Sequence, residues 1–517
     1  HDNFFEIGGD SILSIQIVAR AQQAGFRITP RQLFQHPTIA ELAEVVGFHA
    51  EVSAEQGAVT GEAPLTPIQR WWLEQQLADS HHHNQSSFLE VPGGLDAVAL
   101  EEALAALLAH HDALRLRLVG EAQSFAPPGS PVPLLRVDLA SVPESDRKAV
   151  IEKAAAEAQA SLDLAVGPVL RAVLFESGAE GPARLLLVIH HLAVDGVSWR
   201  ILLEDLWTAY EQRRRGEAIA LPPKTTSFKR WAEKLDAYAR GEAALAEEAF
   251  WRDPVRLRVG RVPIDHEDGE NAESTMRVVA LSLGEEETQQ LLREVPEAYQ
   301  TQINDILLTA FAQAFGDLTG SDVTLVDLEG HGREELFDDV DLSRTVGWFT
   351  TVFPVAGAAI KSVKEQLRAV PTRGLGHGVL RYLRADEARC AELAALPQAE
   401  VSFNYLGQLD QALPEASPFR WARESSGPTH SPRAARRYLL DLNVSVAKGA
   451  LTARFLYSEA RHRRETVERL AARYLDELRG LIAHCLSPEA GGYTPSDFQQ
   501  EDLTQDVIDM LAGLDDD

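Results

Sequence analysis

Cysteine is nearly absent from this sequence: only Cys390 and Cys485 occur in 517 residues, too few for a disulfide framework or a Cys-based zinc site. Any thiol chemistry must come from a cofactor, and the scarcity suits a reducing compartment. Long apolar runs are missing too. No stretch approaches the roughly 18 uninterrupted apolar residues that a membrane span needs, and no N-terminal signal pattern is present. The expectation is a cytoplasmic protein with no membrane partner. Positive charge is the third deficit. Lys and Arg number 49 against 78 Asp and Glu, for a net charge of −29. No basic face is large enough to offset phosphate repulsion, which excludes nucleic acid as a partner. The sequence opens at His1, not Met, and inside a motif, so it reads as a piece of a longer polypeptide.

What is present is the composition of an ordinary globular protein, 45% apolar and 25% charged. The chain is too long for one core, and two to four domains are expected. Its most informative stretch follows Leu185-Leu186-Leu187-Val188-Ile189, a short apolar run that predicts a strand buried on both faces. Trp199, Leu203, Leu206 and Tyr210 then predict a helix, with Arg213 to Arg215 in its last turn and Gly216 to end it. Between the two lie His190, His191, Asp195 and Gly196, held on a tight connection where catalytic side chains are often placed. Taken alone, a histidine pair at a strand end is equally well a hydrogen-bonded edge feature. Two adjacent histidines point to opposite faces and cannot easily share a metal. The consecutive His81, His82 and His83 cannot converge on one either, and no metal is expected.

The string His190 to Trp199 resembles the HHxxxDGxSW signature shared by condensation and epimerization domains of nonribosomal peptide synthetases. Other segments choose between the two. Pro67 to Trp72 resembles the opening PIQxWF motif of epimerization domains, His82 to Gln85 their HxNQ stretch, and His110 to Arg115 their HHDALR segment. After a predicted helix from Thr301 to Phe315 and a predicted strand from Val323 to Val326 comes Asp327-Leu328-Glu329-Gly330-His331-Gly332-Arg333-Glu334. As bare residues this is a solvated charged loop whose two glycines let substrate approach the backbone. It resembles EGHGRE, which belongs to epimerization domains and is not expected in condensation domains. Arg344 to Thr350 resembles RTVGWFT, Phe403 to Gln408 resembles FNYLGQ, and Pro371 to Gly378 resembles PxxGxGYG with His377 in place of Tyr.

The N-terminal stretch Asp2 to Ser11 resembles the attachment motif of a peptidyl carrier domain, and Leu33 to Ala43 that family's third-helix region. On local grounds Ser11 is an N-cap. The resemblance implies instead that Ser11 carries 4'-phosphopantetheine, a thiol on a long tether that holds the substrate as a thioester. Asp10, where many carriers have His, resembles the variant found just upstream of epimerization domains.

The resemblance implies an α+β architecture: a small helical carrier bundle, then two chloramphenicol-acetyltransferase-like lobes forming a V with a central tunnel. The expected units are 1–48 carrier lacking its first helix, 49–62 linker, 63–262 N-terminal lobe and 263–490 C-terminal lobe. Residues 491–517, with eight acids and no Lys or Arg, are an exit segment and possible docking helix. His191 and Glu329 are the expected acid/base pair, with Tyr405, Asn404 and His190 as accessory groups. By the same resemblance Arg115 is the partner of Asp195, both in structural roles. The implied activity is epimerization of an L-aminoacyl or peptidyl thioester on the carrier, between an upstream adenylation domain and a downstream condensation domain or synthetase. A condensation domain using the same His191, or a non-catalytic recruitment domain of the same fold, stays open as an alternative.

Overall fold

The computed structural model describes residues 3–4, 9, 13–14, 17–18, 20–21, 24–48, 54–178, 181–257, 259–321, 323–357, 359–408, 413, 417–498, 505 and 507–508. In the N-terminal unit, helices Pro30–Gln35 and Ile39–Val45 begin where the prolines predict. Thr29 and Thr38 cap them: each hydroxyl accepts from the amide three residues on, and Gln32 and Glu41 reach back to the cap amide.

The expected linker is shorter than its composition implies. Residues 49–53 lie outside the described set, but Val59 is buried with its N–H donating to Asp112 Oδ1 at 3.0 Å. Gly61–Ala63 pairs antiparallel with Ala122–Phe125. Small, polar residues look like tether in the sequence, yet their backbone groups are free to complete a sheet edge.

The first lobe is built on a five-stranded sheet in the order Arg420–Trp421, Asn84–Val91, Ala183–His190, Leu170–Glu176, Leu134–Asp138. The strand that delivers the histidine pair is central. Leu185, Leu187 and Ile189 enter the main core, beside Leu104 of helix Ala97–His110 and Leu203 of helix Gly196–Arg214. Leu186 and Val188 face a second apolar cluster with Ile151 and Ala155 of helix Glu144–Gln159. Burial on both sides explains the unbroken apolar run.

The second lobe carries a six-stranded sheet, in the order Met276–Ser282, Ala450–Ser458, Leu440–Ala447, Val401–Gln408, Thr324–Gly330, Thr351–Gly357. Helices Ile303–Thr319 and Arg464–Cys485 cover it with Phe311, Phe315, Leu470 and Tyr474. One apolar cluster runs continuously through both lobes.

The expected boundary at 263–490 needs correcting, because two stretches of that range cross to the first lobe. Arg420–Trp421 forms an edge strand on Asn84–Val91, and Asn84 N–H donates to the Thr429 carbonyl at 2.8 Å. Residues 331–350 strap the other side. The exit segment is anchored at its start, where the buried Lys364 ammonium holds both oxygens of Asp497 at 2.6 Å. Most residues after 498 lie outside the described set. Among the described residues no helix is long and apolar enough to cross a membrane.

Candidate active site

His190 and His191 leave the central strand on opposite faces, as a pleat dictates. His190 is fully buried; its Nε2 meets the Ser80 carbonyl at 2.9 Å and its Nδ1 accepts from Leu192 N–H at 3.2 Å. Burial pushes its pKa down to about 3. It fixes the strand end and is not presented to a ligand. His191 is half-buried, stacked at 4.1 Å between ring centroids on Trp348, with His83 at 5.7 Å. Its Nδ1 lies 2.9 Å from the Val194 carbonyl. A carbonyl only accepts, so Nδ1 carries the proton and Nε2 the lone pair. Loss of solvent lowers its pKa too, and the ring is neutral at pH 7.

Glu329 stands at the other strand end. The strand runs to Gly330, further than its charged residues suggested, because it alternates: Val326 and Leu328 enter the core while Asp327 and Glu329 face the other way. Water reaches the Glu329 side chain, yet protein surrounds it closely enough that lost solvation, helped by the charges of Asp441 and Asp327, raises its pKa to about 7. Asn404 Nδ2 donates to Glu329 Oε2 at 2.8 Å. Tyr405, the next residue, is half-buried at the edge of the main core, just before an irregularity in strand register. Val352, directly opposite Glu329 across the antiparallel ladder, lines two pockets. Trp348, the ring stacked on His191, lines the first; Asp327 and Arg437 line the second.

One ion pair ties the two motifs together. Arg333, four residues after Glu329, donates through Nη2 to both oxygens of Asp195, four residues after His191, at 2.9 and 3.1 Å. Asp195 also caps helix Gly196–Arg214 through Ser198 N–H at 2.8 Å and accepts from Phe349 N–H at 3.2 Å. Arg333 spends its other terminal nitrogen on the Leu342 and Thr345 carbonyls. This buried network joins the lobes at the site.

It also corrects the partner assigned to Asp195. Arg115 bonds Asp112 Oδ1 at 2.6 Å and the Val59 carbonyl at 3.1 Å, so it clamps the entry of the chain into the domain. The 3-10 turn Asp112–Arg115 brings that carboxylate within its reach, whereas Asp195 is already satisfied by the strap. The glycines of EGHGRE need a second correction. Gly332 has φ +67°, and a Cβ there would lie 1.7 Å from the Phe349 carbonyl. At Gly330 a Cβ would meet Thr351 Oγ1 at 2.5 Å. What approaches this backbone is the protein's own strap.

The consecutive histidines diverge as expected. His81 Nδ1 accepts from Leu164 N–H, His82 meets the Pro428 carbonyl, and His83 turns inward beside His430. Elsewhere among the described residues, His110, His111 and Asp205 place possible ligand atoms within 4.8 Å of one another. Asp205 there accepts from Arg344 of the strap and pairs with His111 at 2.9 Å, so the guanidinium already supplies the cation and the trio fastens the strap. His377 rests against Trp251, its Nδ1 3.3 Å from the Val352 carbonyl.

Sequence reasoning left Gln85, Trp348 and Arg333 without roles, although each lies inside a quoted motif. Gln85 Nε2 is 2.9 Å from His191 Nε2, while Trp199 Nε1–H donates to Gln85 Oε1 at 2.9 Å. The only available signal was that polar or aromatic residues sat at strand and strap ends.

Ser11 lies outside the described residues. Two residues before it, Gly9 N–H closes onto the Phe4 carbonyl at 2.8 Å, and a Cβ at Gly9 would strike Phe4 at 2.5 Å.

Comparison with known proteins agrees. Residues 1–46 match the phosphopantetheine attachment site family and residues 59–504 the condensation domain family. A linear gramicidin synthase from Brevibacillus parabrevis is 49% identical over 534 residues, covering 99% of this chain and 7% of that protein. Gramicidin S synthase 1 of Brevibacillus brevis is 36% identical over 545 residues, covering 99% of this chain and 48% of its own length. The chain thus spans less than half of these relatives. Among solved structures, the epimerization domain from the third module of tyrocidine synthetase B superposes with TM-score 0.76 at 34% identity, covering 84% of this chain and 99% of that one. The first condensation domain of the calcium-dependent antibiotic synthetase shares the fold, with TM-score 0.61 at 21% identity, covering 83% of this chain and 97% of that one. The carrier unit takes a covalently attached 4'-phosphopantetheine on serine, Ser11 by its motif. The chain belongs to the condensation-domain family of nonribosomal peptide synthetases and bears a carrier unit ahead of that domain.

Proposed function

We propose that this chain epimerizes an L-aminoacyl or peptidyl residue held on the Ser11 arm, by removing and returning the proton on its α-carbon. The arm supplies a thiol, and a thioester sulfur gives less electron density to the carbonyl than an amide nitrogen, so an enolate costs less. The observation that carries the reading is Glu329: a water-accessible carboxyl whose pKa of about 7 populates both protonation states at neutral pH. A base must be ionised to take a proton and an acid protonated to give one, and this group is ready for either. His191 is the second acid/base, neutral and so able to accept at Nε2. Asn404 steadies Glu329 in its ionised form, and Tyr405 with Asn404 orients the thioester. Asp195 and Arg333 hold the two motif loops at one site.

Likeness to the tyrocidine synthetase epimerization domain supports the same reading. We place an adenylation domain upstream, to supply the carrier with an aminoacyl group, and a condensation domain or synthetase downstream as consumer. The rival is peptide-bond formation at His191, favoured by the match of residues 59–504 to the condensation family. The deciding experiment loads the Ser11 arm with an L-aminoacyl group in deuterated water. Deuterium at the α-carbon together with a mixture of L and D residues is expected. Condensation onto an acceptor with no α-exchange would establish the rival, and neither activity would establish a recruitment role.

A further inference from the structure

Gln85 sits where it controls what His191 can do. The three donors around this pair fix every orientation. The indole N–H of Trp199 has no acceptor character, so the atom 2.9 Å from it must be the amide oxygen, Gln85 Oε1. That leaves the amide NH2 facing His191 Nε2 at 2.9 Å. At the far side of the ring the Val194 carbonyl, 2.9 Å from Nδ1, demands a proton there. The chain Trp199 to Gln85 to His191 to Val194 therefore runs in one direction, each donor meeting an acceptor, and it closes only with His191 as the neutral Nδ1–H tautomer.

We propose that Gln85, oriented by Trp199, is a positioning residue that holds His191 neutral with its basic lone pair capped. A proton on Nε2 would face the Gln85 amide donor to donor. Turning the amide would relieve that contact but set its NH2 against the Trp199 N–H, another donor pair. Either way one partly buried hydrogen bond is lost, so the network opposes the imidazolium. The other groups facing His191 do not reverse this. His83 and His430, neighbours from the Asn84–Val91 side and the crossing segment, are themselves half-buried imidazoles with lowered pKa values, and His190 on its own strand is buried. Among the described residues the carboxylate that acts on His191 is Asp195, and its charge is met by Arg333.

The inference rests on the proposed epimerization for its catalytic meaning. His191 becomes a base only when the amide withdraws from Nε2, so in the resting site proton transfer belongs to Glu329 and His191 joins when substrate displaces Gln85.

The test reads His191 directly. In 15N-histidine-labelled full chain, the His191 ring nitrogens should show the Nδ1–H tautomer at pH 8, and the ring should titrate below the usual imidazole value. In Gln85→Glu a carboxylate accepts from both Trp199 and an Nε2–H, and the titration midpoint should rise by at least one pH unit. Trp199→Phe frees the native amide to turn and should raise it in the same direction by less. The pH profile of α-hydrogen exchange should move with the titration in both variants, with a larger change in kcat than in KM. A wild-type ring with its proton on Nε2, or variants that titrate like the wild type, would overturn the proposal. Because the NMR readout needs no turnover, a shift in titration without any α-exchange would uphold the role of Gln85 and reject the epimerase reading alone.

Discussion

The His191 end and the Glu329 end of the site are built alike and behave oppositely. Each functional residue ends or follows a central, apolar strand, and each is followed four positions later by one half of the Asp195–Arg333 pair. At the first end the ring is packed against Trp348 among other imidazoles, and burial drives histidine pKa values down. At the second the carboxyl meets water within a protein wall, and partial loss of solvent with two neighbouring acids drives its pKa up. The same physical cause, removal of solvent, favours the neutral form of both. For the carboxyl this means a group that titrates near pH 7; for the imidazole it means a pKa below its usual value. In the proposed reaction the two ends are therefore unequal, with Glu329 the group that changes charge more readily near pH 7.

Breaking the chemistry at either end should produce the largest effects. Glu329→Gln keeps the shape and the Asn404 neighbour but cannot exchange a proton, and α-hydrogen exchange should fall about 10²–10⁴-fold. His191→Ala should lose a comparable factor, with Ser11 still loadable in both variants. Mass spectrometry of the arm and chiral analysis of the released residue measure both. Equal activity in Glu329→Gln would mean that the comparison has the ends reversed.

Cutting the tie between the ends comes next. Arg333→Met leaves Asp195 buried without its cation and should destabilise the fold by about 3–5 kcal/mol, read from urea unfolding. The double variant Arg333→Met with Asp195→Asn should recover much of that loss, since it removes the stranded charge as well.

Acid should separate the ends by sign. His190 and His331 are buried with pKa values pushed to about 3. Below the usual histidine value of about 6.5 the unfolded chain takes up their protons and the native chain does not, so stability falls with pH by about 1.4 kcal/mol per pH unit for each. Glu334, buried beside Arg373, is raised to about 7, and Glu329 is raised likewise. Between about pH 7 and the unfolded value near 4.5 the native chain binds their protons more tightly, and this contribution grows as pH falls. The two trends oppose one another down to about pH 4.5, below which only the histidine loss continues. Because His83, His110 and His430 are lowered as well, the histidine loss outweighs the gain, and unfolding midpoints at pH 6.5, 4.5 and 3.5 should fall over both intervals, more steeply over the second.

The smallest effect is expected at Asn404. Asn404→Ala removes one charge-assisted hydrogen bond to Glu329, worth about 1.5 kcal/mol, and should slow exchange roughly tenfold. Because the lost donor favoured the ionised form, the Glu329 pKa should rise and the acidic limb of the pH profile, where the base becomes protonated, should move to higher pH.

Much of this was legible before any coordinates. Leu185 to Ile189 announced a doubly buried strand, and the helix after Asp195 was set by its apolar spacing and Gly216, which takes φ +74°. Glu329 and Asn404, 75 residues apart, were both named, and they meet. The misplacements share one cause. Charged residues in Thr324–Gly330 read as loop because a strand facing a polar cavity does not look buried, and small residues at 54–62 read as tether because their contribution is made by backbone. Arg115 and Arg333 are equivalent as letters; which one reaches Asp195 depends on the path of a strap more than 130 residues away in the chain.

The sequence by itself determined the family, the serine of the attachment motif, the main strands and helices of both lobes, and the motifs that hold His191 and Glu329, because local pattern and motif carry those. Only the tertiary structure decided that Arg333 closes the site, that Gln85 and Trp199 fix the His191 tautomer, and that Glu329 titrates near pH 7. Each of those depends on distance, direction and excluded water among groups far apart in the chain, which no local pattern encodes.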